Sequence, residues 1–449
     1  MQAAFDTIAA VATARGRGAI GVLRISGPMT EKVIDGLFTA KSGLRAAKLG
    51  EFKLRFGSFR DAKGDVLDNG LVFLAKAPKS YTGEDYAEIQ CHGNPCIMEK
   101  LLASALSFGA VAAPPGEFTR RAFLNGKMDL TECEGVDELI RASSTKYASA
   151  AYRLQQGELR KKLEPIGESL SRVYAHIQGA IEFSDDVAEE RTHWDALLEE
   201  ALGSLREILA SAEISKKLRD GLLVAIAGKP NAGKSSLFNA LLEEDRALVT
   251  SVAGTTRDTL SEEMEIAGLN VILMDTAGIR KAKGEVEALG IERSLKTIDD
   301  ADAIIWLSDS AKKMSAEEKR TVEERRAQKP LLLLSSKSDL GDAKIEGAKP
   351  VSCVTKEGLK EVREFLLKTA RETLSGHDNA ILLRARHSEL LEAALSFTGK
   401  ARERLASGDY LELAAEDLGS ALERVWEVTG RKTPNEILDI IFGEFCIGK

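Results

Sequence analysis

The sequence predicts a multidomain fold: an α+β domain, an all-α domain, and an α/β domain inserted into the all-α one. Three observations predict it. Residues 1–118 alternate β-rich runs with glycine-containing turns. Residues 119–218 and 379–449 carry apolar side chains at helical spacing. Residues 219–378 alternate apolar runs of strand length with helical stretches, which is the pattern of a parallel sheet covered by helices on both faces.

The N-terminal domain contains one glycine-rich segment, residues 16–21, with the spacing G-x-G-x-x-G. This is the spacing of dinucleotide-binding loops, but such a loop must open a helix. Here a short apolar run, residues 22–25, follows and ends at Ser26-Gly-Pro28, which leaves no room for a helix. We therefore expect these glycines to form a turn between two strands.

The two helical blocks flank the α/β segment. Leucines of the first block recur every three or four residues, as in Leu198, Leu202, Leu205 and Leu209. One helical domain with an insertion explains both blocks, because an α/β unit placed in a surface loop leaves the flanks free to pack together. The alternative is two separate helical bundles.

Composition narrows the class of protein. The 62 basic and 70 acidic residues give a net charge of −8, which excludes a general nucleic-acid coat protein and leaves RNA contact to a local patch or a partner. The five cysteines are few and odd in number, as in a reducing cytosol. No apolar run approaches the ~18 residues of a membrane span, and residues 1–20 lack a signal-peptide pattern. We expect a cytoplasmic protein with no membrane partner.

The first apolar run of the α/β segment leads directly into Gly228-Lys-Pro-Asn-Ala-Gly-Lys-Ser235, which fits the phosphate-loop pattern G-x-x-x-x-G-K-[ST]. A helical stretch starting at Ser236 follows, so the context is the required one. The glycines let backbone N–H groups surround phosphates, Lys234 reaches the β- and γ-phosphate oxygens, and Ser235 binds Mg²⁺. The segment predicts a nucleoside-triphosphate site.

Four further elements follow in the order that a Ras-like P-loop GTPase requires. Gly254-Thr-Thr-Arg-Asp258 offers Thr256 to Mg²⁺, and Asp275-Thr-Ala-Gly278 follows a strand and places a carboxylate near the same ion. Asp339 of Ser336-Lys-Ser-Asp339 can accept two hydrogen bonds from guanine, from an edge that adenine lacks. Ser352-Cys-Val354 can close over the base. Together the elements predict a GTPase.

Two departures from the Ras pattern bear on mechanism. Ile279 occupies the position where Ras-like proteins orient the attacking water with glutamine, so Glu285 and Glu287 are candidates for that role. Ser336 replaces the usual asparagine of the base-reading motif. Because serine is shorter, we expect the loop contact made by asparagine to be lost and nucleotide affinity to be lower.

Nearly the whole chain resembles the tRNA-modification GTPase family called MnmE or TrmE. The resemblance rests on Asp6-Thr-Ile8, the segment Pro115-Gly-Glu-Phe-Thr-Arg-Arg-Ala-Phe-Leu-Asn-Gly-Lys127, the inserted GTPase segment, and the terminal Phe445-Cys-Ile-Gly-Lys449. The second and last of these are not general GTPase features. The resemblance implies a folate-binding and dimerisation domain at 1–118, a helical domain at 119–218 and 379–449, and a G domain at 219–378.

The resemblance also implies site residues. K⁺ would be held by Asn231, Thr250, Val252 and Thr255, Glu287 would orient water, and Lys234 and Asn231 would act with it in catalysis. The folate site, for 5,10-methylene- or 5-formyl-tetrahydrofolate, would use Arg24, Glu88, Lys127 and Lys449. The nucleotide site would comprise Asn231, Ala232, Gly233, Lys234, Ser235, Ser236, Thr250, Ser251, Val252, Ala253, Gly254, Thr255, Thr256, Asp275, Thr276, Ala277, Gly278, Ser336, Lys337, Ser338, Asp339, Ser352, Cys353 and Val354.

The resemblance further implies a homodimer that acts with the flavoprotein MnmG, also called GidA. Together they would place an aminomethyl or carboxymethylaminomethyl group on C5 of the wobble uridine of certain tRNAs, with folate as the carbon source. Cys446 is a candidate nucleophile, and an inert terminal thiol is the alternative. A different class of function stays open: a GTP-driven assembly switch that binds ribosomal RNA or protein and modifies nothing.

Overall fold

The structure is a computed structural model that describes residues 6–183, 188–245, 261–275, 296–340, 345–377, 380–408 and 410–449. The chain divides into two compact units. The first comprises Met1–Glu138, Arg153–Leu205 and Glu389–Lys449, and the second comprises Leu139–Tyr152 and Arg206–Ser388. The two units alternate along the sequence. Residues 153–205 and 389–449, on either side of the long segment of the second unit, both belong to the first unit.

The strands are β1 (Ile8–Val11), β2 (Gly18–Ser26), β3 (Phe38–Ala40), β4 (Arg55–Arg60), β5 (Val66–Ala75), β6 (Tyr86–Gly93), β7 (Val111–Ala112), β8 (Leu222–Gly228), β9 (Ser261–Ile266), β10 (Leu269–Asp275), β11 (Ala303–Asp309), β12 (Leu331–Ser336) and β13 (Lys349–Val351). The helices include α1 (Thr30–Leu37), α2 (Pro95–Ser107), α3 (Glu117–Leu124), α4 (Leu130–Arg141), α5 (Thr145–Gln155), α6 (Glu158–Phe183), α7 (Ala188–Leu209), α8 (Ala212–Asp220), α9 (Lys234–Asp245), α10 (Ala316–Gln328), α11 (Leu359–Leu374), α12 (Ala385–Ser407), α13 (Leu411–Val428) and α14 (Asn435–Gly443).

A seven-stranded sheet in the order β3-β4-β5-β6-β2-β1-β7 forms the N-terminal part of the first unit. All its pairs are antiparallel except β1 with β7. Alternate residues of the central strands, such as Leu23, Ile25 and Ile89, are fully buried in one core with Val33 of α1 and Leu101 of α2. This period of two follows from the pleat of a strand. On the opposite face, Ile8, Ala10 and Tyr86 are buried in a second cluster with Phe118 of α3.

The glycine segment at 16–21 is not followed by a helix. Gly16 lies between β1 and β2 with φ +123°, as a turn requires. The expectation of a turn was wrong for Gly18 and Gly21, because both lie inside β2. Gly21 is needed there for packing, since a Cβ on it would lie 2.5 Å from Sδ of Met98.

Helices from both sides of the insertion pack together in the first unit, where α6 lies along α13. The contact is close because Gly167 of α6 has no side chain. A Cβ on it would lie 2.4 Å from the ring of Trp426. The prediction of one helical domain interrupted by an insertion is therefore confirmed, and the alternative of two separate bundles is wrong.

The second unit contains a six-stranded sheet in the order β13-β12-β11-β8-β10-β9. Five of the strands are parallel, as predicted, and their apolar runs are buried, with Val224, Ile226, Leu273, Ile304 and Leu334 inaccessible to solvent. The central strands need both faces covered, because parallel strands are joined by helices that lie on the sheet.

One edge strand is antiparallel, which the pattern of apolar runs did not predict. Strand β9 pairs antiparallel with β10 through the two-residue turn Ala267-Gly268. Both turn residues have positive φ, +55° and +84°, which is the backbone that a tight hairpin favours. The strand escapes a search for apolar runs because its sequence, Ser-Glu-Glu-Met-Glu-Ile, is mostly polar and exposed.

Two serines of the second unit connect the chain before β8 with the chain after α11. The hydroxyl of Ser215 in α8 donates to the carbonyl of Ile381 at 3.0 Å and accepts the N–H of Leu383, also at 3.0 Å. Ser211 accepts the N–H of Ile381 at 3.3 Å. The start and end of the inserted α/β segment are therefore held together by buried hydrogen bonds.

Candidate functional site

The phosphate loop joins β8 to α9 and begins at Gly228. This residue has φ +139°, and a Cβ on it would lie 2.2 Å from the carbonyl oxygen of Leu307 on β11. Only glycine fits both constraints. The first glycine of the motif is therefore fixed by the neighbouring strand as well as by the loop.

Lys234, the first residue of α9, turns its side chain back into the loop. Its buried ammonium donates to the carbonyl of Gly228 at 2.8 Å and to that of Lys229 at 2.9 Å. A cation held among carbonyls at the start of a helix, where the helix dipole is also positive, is suited to bind phosphate oxygens.

Ser235 and Asp275 meet at the carboxyl edge of the sheet. The hydroxyl of Ser235 donates to Oδ2 of Asp275 at 2.6 Å. Asp275 reaches this position because β10 runs parallel to β8 and pairs Asp275 with Ile226. A hydroxyl and a carboxylate beside a phosphate loop are the oxygen ligands that Mg²⁺ takes in nucleotide sites. Both predicted magnesium ligands in the described part of the chain are thus brought together.

A buried carboxylate that the sequence analysis missed anchors the phosphate loop. Glu318 of α10 contacts Lys229 of the loop with 2.9 Å between oxygen and nitrogen. Its other oxygen accepts hydrogen bonds from Trp306 and Ser308 of β11. No local pattern marks this pair, since 89 positions separate its members in the chain.

The base-reading loop follows β12. Asp339 is exposed at the sheet edge, as a residue that reads a base must be. Lys337 adopts φ +58° and pairs with Asp309 at 2.8 Å. The hydroxyl of Ser338 donates to Glu357 at 2.8 Å, which ties this loop to the chain after β13.

The segment Ser352-Cys-Val354 folds as a turn next to this loop. Ser352 is buried, and its hydroxyl accepts the N–H groups of Val354 and Thr355 at 3.3 and 3.2 Å. Burial raises the pKa of the Cys353 thiol, with the nearby charge of Asp339 as a smaller cause. Val354 is exposed at 83% and is free to cover a ligand.

Several predicted residues lie outside the described part of the chain. They are Thr250, Ser251, Val252, Ala253, Gly254, Thr255, Thr256, Thr276, Ala277, Gly278, Ile279, Glu285 and Glu287. Their roles stay predictions.

A second cluster, in the first unit, brings together three of the four residues expected to bind folate. Arg24 of β2 lies opposite Glu88 of β6, with 3.0 Å between Nε and Oε1. The same guanidinium donates to the carbonyl of Gly448 at 2.7 Å. Burial and the positive charge of Arg24 lower the pKa of the neighbouring Lys449 ammonium.

Tyr86 completes this cluster and was not predicted. Its hydroxyl donates to Oε1 of Glu88 at 2.5 Å, and burial raises its pKa well above the usual value. Tyr86 could have been predicted from the sequence, because residues two apart on a strand share a face and Glu88 was already a candidate. The hydroxyl fixes the orientation of the carboxylate.

The terminal segment is held against the N-terminal domain within the first unit. The backbone oxygen of Lys449 accepts the N–H of Phe118 at 3.1 Å, at the start of α3. Gly448 has φ +87°, and a Cβ on it would lie 2.8 Å from Cα of Ala12. These contacts explain why a motif at the end of the chain and Arg24 near its start take part in one cluster.

Lys127 and Cys446 are placed differently. The Lys127 ammonium donates to the carbonyl of Pro78 at 3.0 Å, and Lys127 lines a cavity of about 300 Å³ with Arg160 and Arg431. Cys446 is exposed, so its thiol is accessible. Within the described residues no group of three or more His, Cys, Asp and Glu side chains could hold a metal ion, and no helix could span a membrane.

Comparisons with known proteins agree with this architecture. A family model described as "MnmE helical domain" matches residues 130–446, and one described as "GTP-binding protein TrmE N-terminus" matches residues 7–127. The tRNA modification GTPase MnmE of Aquifex aeolicus is 38% identical over 99% of this chain and all of the relative. The chain belongs to the MnmE family. The MnmE proteins of Pseudomonas aeruginosa strain UCBPP-PA14 and Thermotoga sp. strain RQ2 are each 38% identical, over 100% and 99% of this chain and over their own full length.

Proposed function

We propose that this protein is a potassium-activated GTP hydrolase that acts as a homodimer in tRNA modification. With a flavoprotein partner it installs an aminomethyl or carboxymethylaminomethyl group on C5 of the wobble uridine, position 34, of certain tRNAs, using a folate one-carbon unit. The observation that carries the GTPase part is the 2.6 Å contact between Ser235 and Asp275 beside Lys234. Similarity to tRNA modification GTPases over the full chain supports the rest.

The proposed domain assignment has three parts, and its bounds differ from those of the two compact units. Residues 1–118 would bind folate and dimerise, residues 119–218 and 379–449 would form the helical domain, and residues 219–378 would bind GTP. The 2.6 Å Ser235–Asp275 pair, with Thr256, would hold Mg²⁺. Bound there, Mg²⁺ would supply positive charge that stabilises the charge developing on the β- and γ-phosphates. Lys234 contributes a second cation and the N–H groups at the start of α9 orient the phosphates.

Guanine is the base that this site would select. Asp339 offers a carboxylate to the N1–H and 2-amino group of guanine, and hydrogen bonds to a charged acceptor are the stronger kind. Adenine presents an unprotonated N1 to the same carboxylate. The exposed position of Asp339 at the sheet edge keeps it free for this contact.

We expect Asp339→Asn to weaken GDP binding by roughly 10- to 100-fold, because an amide replaces the charged acceptor. The same change should improve binding of xanthosine diphosphate, whose C2 carbonyl can accept from the new amide. Titration with fluorescent nucleotides measures both. Equal binding of GTP and ATP by the unchanged protein would contradict the assignment.

Potassium would act at the phosphate loop. Asn231 is exposed there with φ +65°, so its amide can turn toward the phosphates. It would share the ion with Thr250, Val252 and Thr255. The position of the Ras glutamine is Ile279, so Glu287 is the proposed group that orients water, with Glu285 as the alternative.

Hydrolysis should therefore be faster in K⁺ than in Na⁺, and Asn231→Ala should remove the difference. A fixed cation at the phosphates acts as an arginine finger does, with a gain of ~10³ or more in kcat. For Glu287→Ala we expect a kcat loss of about 10² or more with little change in nucleotide affinity. Phosphate release assays in matched K⁺ and Na⁺ buffers test this. Equal rates in the two buffers would refute the potassium site.

The cluster around Arg24 suits a pterin. Its carboxylate, Glu88, matches the paired donors of an amino-pyrimidinone ring. Among the described residues, Arg24 and Tyr86 both bond to Oε1 of Glu88, which leaves Oε2 for the ligand. Arg24 and Lys449 place two basic side chains beside this one side-chain carboxylate, so the cluster would also favour the acid groups of a folate. Lys127, whose ammonium lies at the carbonyl of Pro78, is the fourth proposed contact to the folate.

Exposed apolar side chains in β4 and in the segment before it support dimerisation. Phe52, Leu54 and Phe56 alternate along the chain and are each more than half exposed, as is Val66. Phe56 lies in β4, and Phe52 and Leu54 lie in the segment that leads into it, so the three exposed apolar side chains are close neighbours in the chain. Clustered exposed apolar side chains mark protein interfaces. The proposed occupant is a second copy of the chain.

The need for a flavoprotein partner follows from the chemistry of the tRNA modification. Adding one carbon to C5 of uridine and changing its oxidation state needs a redox cofactor, and the only G-x-G-x-x-G segment of the chain enters a strand. A flavoprotein, MnmG, would supply that cofactor. The net charge of −8 also indicates that the chain alone does not hold tRNA tightly.

We expect purified protein to hydrolyse GTP but to leave tRNA unmodified until the flavoprotein is added. Arg24→Ala and Glu88→Ala should abolish modification and spare GTP hydrolysis. Nucleoside analysis of tRNA incubated with GTP, K⁺ and a reduced folate measures this. Modification without the partner would contradict the division of roles. GTP hydrolysis with no folate binding and no modification would instead favour an assembly switch.

A further inference from the structure

The base-reading loop, residues 336–339, carries serine where Ras-like proteins have asparagine. Ser336 is buried, and its hydroxyl donates to the carbonyl of Ser308 on β11 at 3.3 Å. Its Cβ lies 3.9 Å from the position that a Cβ on Gly233 of the phosphate loop would occupy. The side chain therefore lies against the phosphate loop, yet its only proton is donated to β11.

Two consecutive residues after Ser308 hold the loop. The N–H of Ser310 donates to the carbonyl of Ser336 at 2.9 Å, and the hydroxyl of Ser310 donates to the carbonyl of Lys337 at 2.8 Å. Asp309 pairs with the ammonium of Lys337 at 2.8 Å. Ser310 is 2% exposed, so its bonds to the loop are shielded from water.

The loop needs such support because Lys337 has φ +58°. A left-handed backbone is unfavourable for a residue with a side chain and persists only where its surroundings impose it. The hydrogen bond from Lys337 lowers the pKa of Asp309, so this carboxylate is charged at neutral pH. Asp339 comes two residues after Lys337, and its position depends on the same backbone.

We propose that Asp309 and Ser310 are the positioning residues for guanine recognition in this chain. The inference rests on the proposed function, in which Asp339 reads guanine. The expectation that serine at 336 lowers nucleotide affinity stays a prediction. The end of the neighbouring strand supports the loop through the backbone carbonyls of Ser336 and Lys337 and the ammonium of Lys337.

The test compares Ser310→Ala with Thr321→Ala. Thr321 is a matched control because its hydroxyl also donates to a backbone carbonyl, that of Glu317 on α10, but on the exposed surface of the same unit. We expect Ser310→Ala to raise the KM for GTP about five- to tenfold, the effect of one buried hydrogen bond, and to leave kcat within about twofold. Thr321→Ala should change neither.

A second measurement separates positioning from general loss of stability. Inosine nucleotides lack the 2-amino group, so the ratio of GDP to IDP affinity reports how well Asp339 is aligned. The ratio should fall in Ser310→Ala and in Asp309→Asn, which keeps the side-chain shape. Adding Ser336→Asn to Ser310→Ala should restore part of it. Thermal melting identifies any variant that fails to fold, and Asp309→Asn then carries the test.

The inference is overturned if Ser310→Ala and Asp309→Asn fold and keep the affinity ratio of the unchanged protein. It is also overturned if kcat falls while the KM for GTP and the ratio stay constant. A protein without mutations that does not distinguish GTP from ATP would instead refute the proposed function. The two failures are therefore distinguishable.

Discussion

The register of β8 against β10 is the constraint on which the nucleotide site depends. It sets Asp275 beside Ile226, so that the carboxylate meets Ser235 on the first turn of α9. The parallel pairing of β11 and β12 with this core delivers residues 308–310 and 336–339 to the same edge. The carboxyl ends of parallel strands lie at the same edge of the sheet. Segments more than a hundred positions apart in the chain therefore form one site.

The first unit meets a comparable requirement by a different route. Its cluster depends on antiparallel pairing of β2 with β6, which sets Arg24 opposite Glu88, and on the terminal segment that brings Gly448 to Arg24. A partly buried arginine and lysine beside one carboxylate are costly to keep unless a ligand or a hydrogen bond compensates them. Hydrogen bonds to Glu88 and to the carbonyl of Gly448 compensate Arg24 and hold it in the cluster.

Much of this could be predicted from the sequence because the signals are local. The phosphate loop is a continuous segment with its strand and helix in order, and the helical blocks have an apolar period that can be read directly. Strand β9 was missed because it is short and polar, and its only signal is the Ala267-Gly268 turn. The contacts of Glu318 with Lys229 and of Ser310 with Lys337 could not be predicted, because each joins residues that only the folded sheet brings together.

The most direct test of the account is the coupling between Mg²⁺ and GTP in the Ser235→Ala variant. In the unchanged protein, calorimetric titration should show GTP binding at least about tenfold tighter with Mg²⁺ than with chelator, since Ser235 and Asp275 would hold the ion and its charge would offset that of the phosphates. Ser235→Ala should lose most of that gain and keep its affinity in chelator, whereas Ser375→Ala, an exposed serine of the same unit, should behave as the unchanged protein. If Mg²⁺ strengthens binding equally in Ser235→Ala and in the unchanged protein, the Ser235–Asp275 pair is not the magnesium site and the account is wrong.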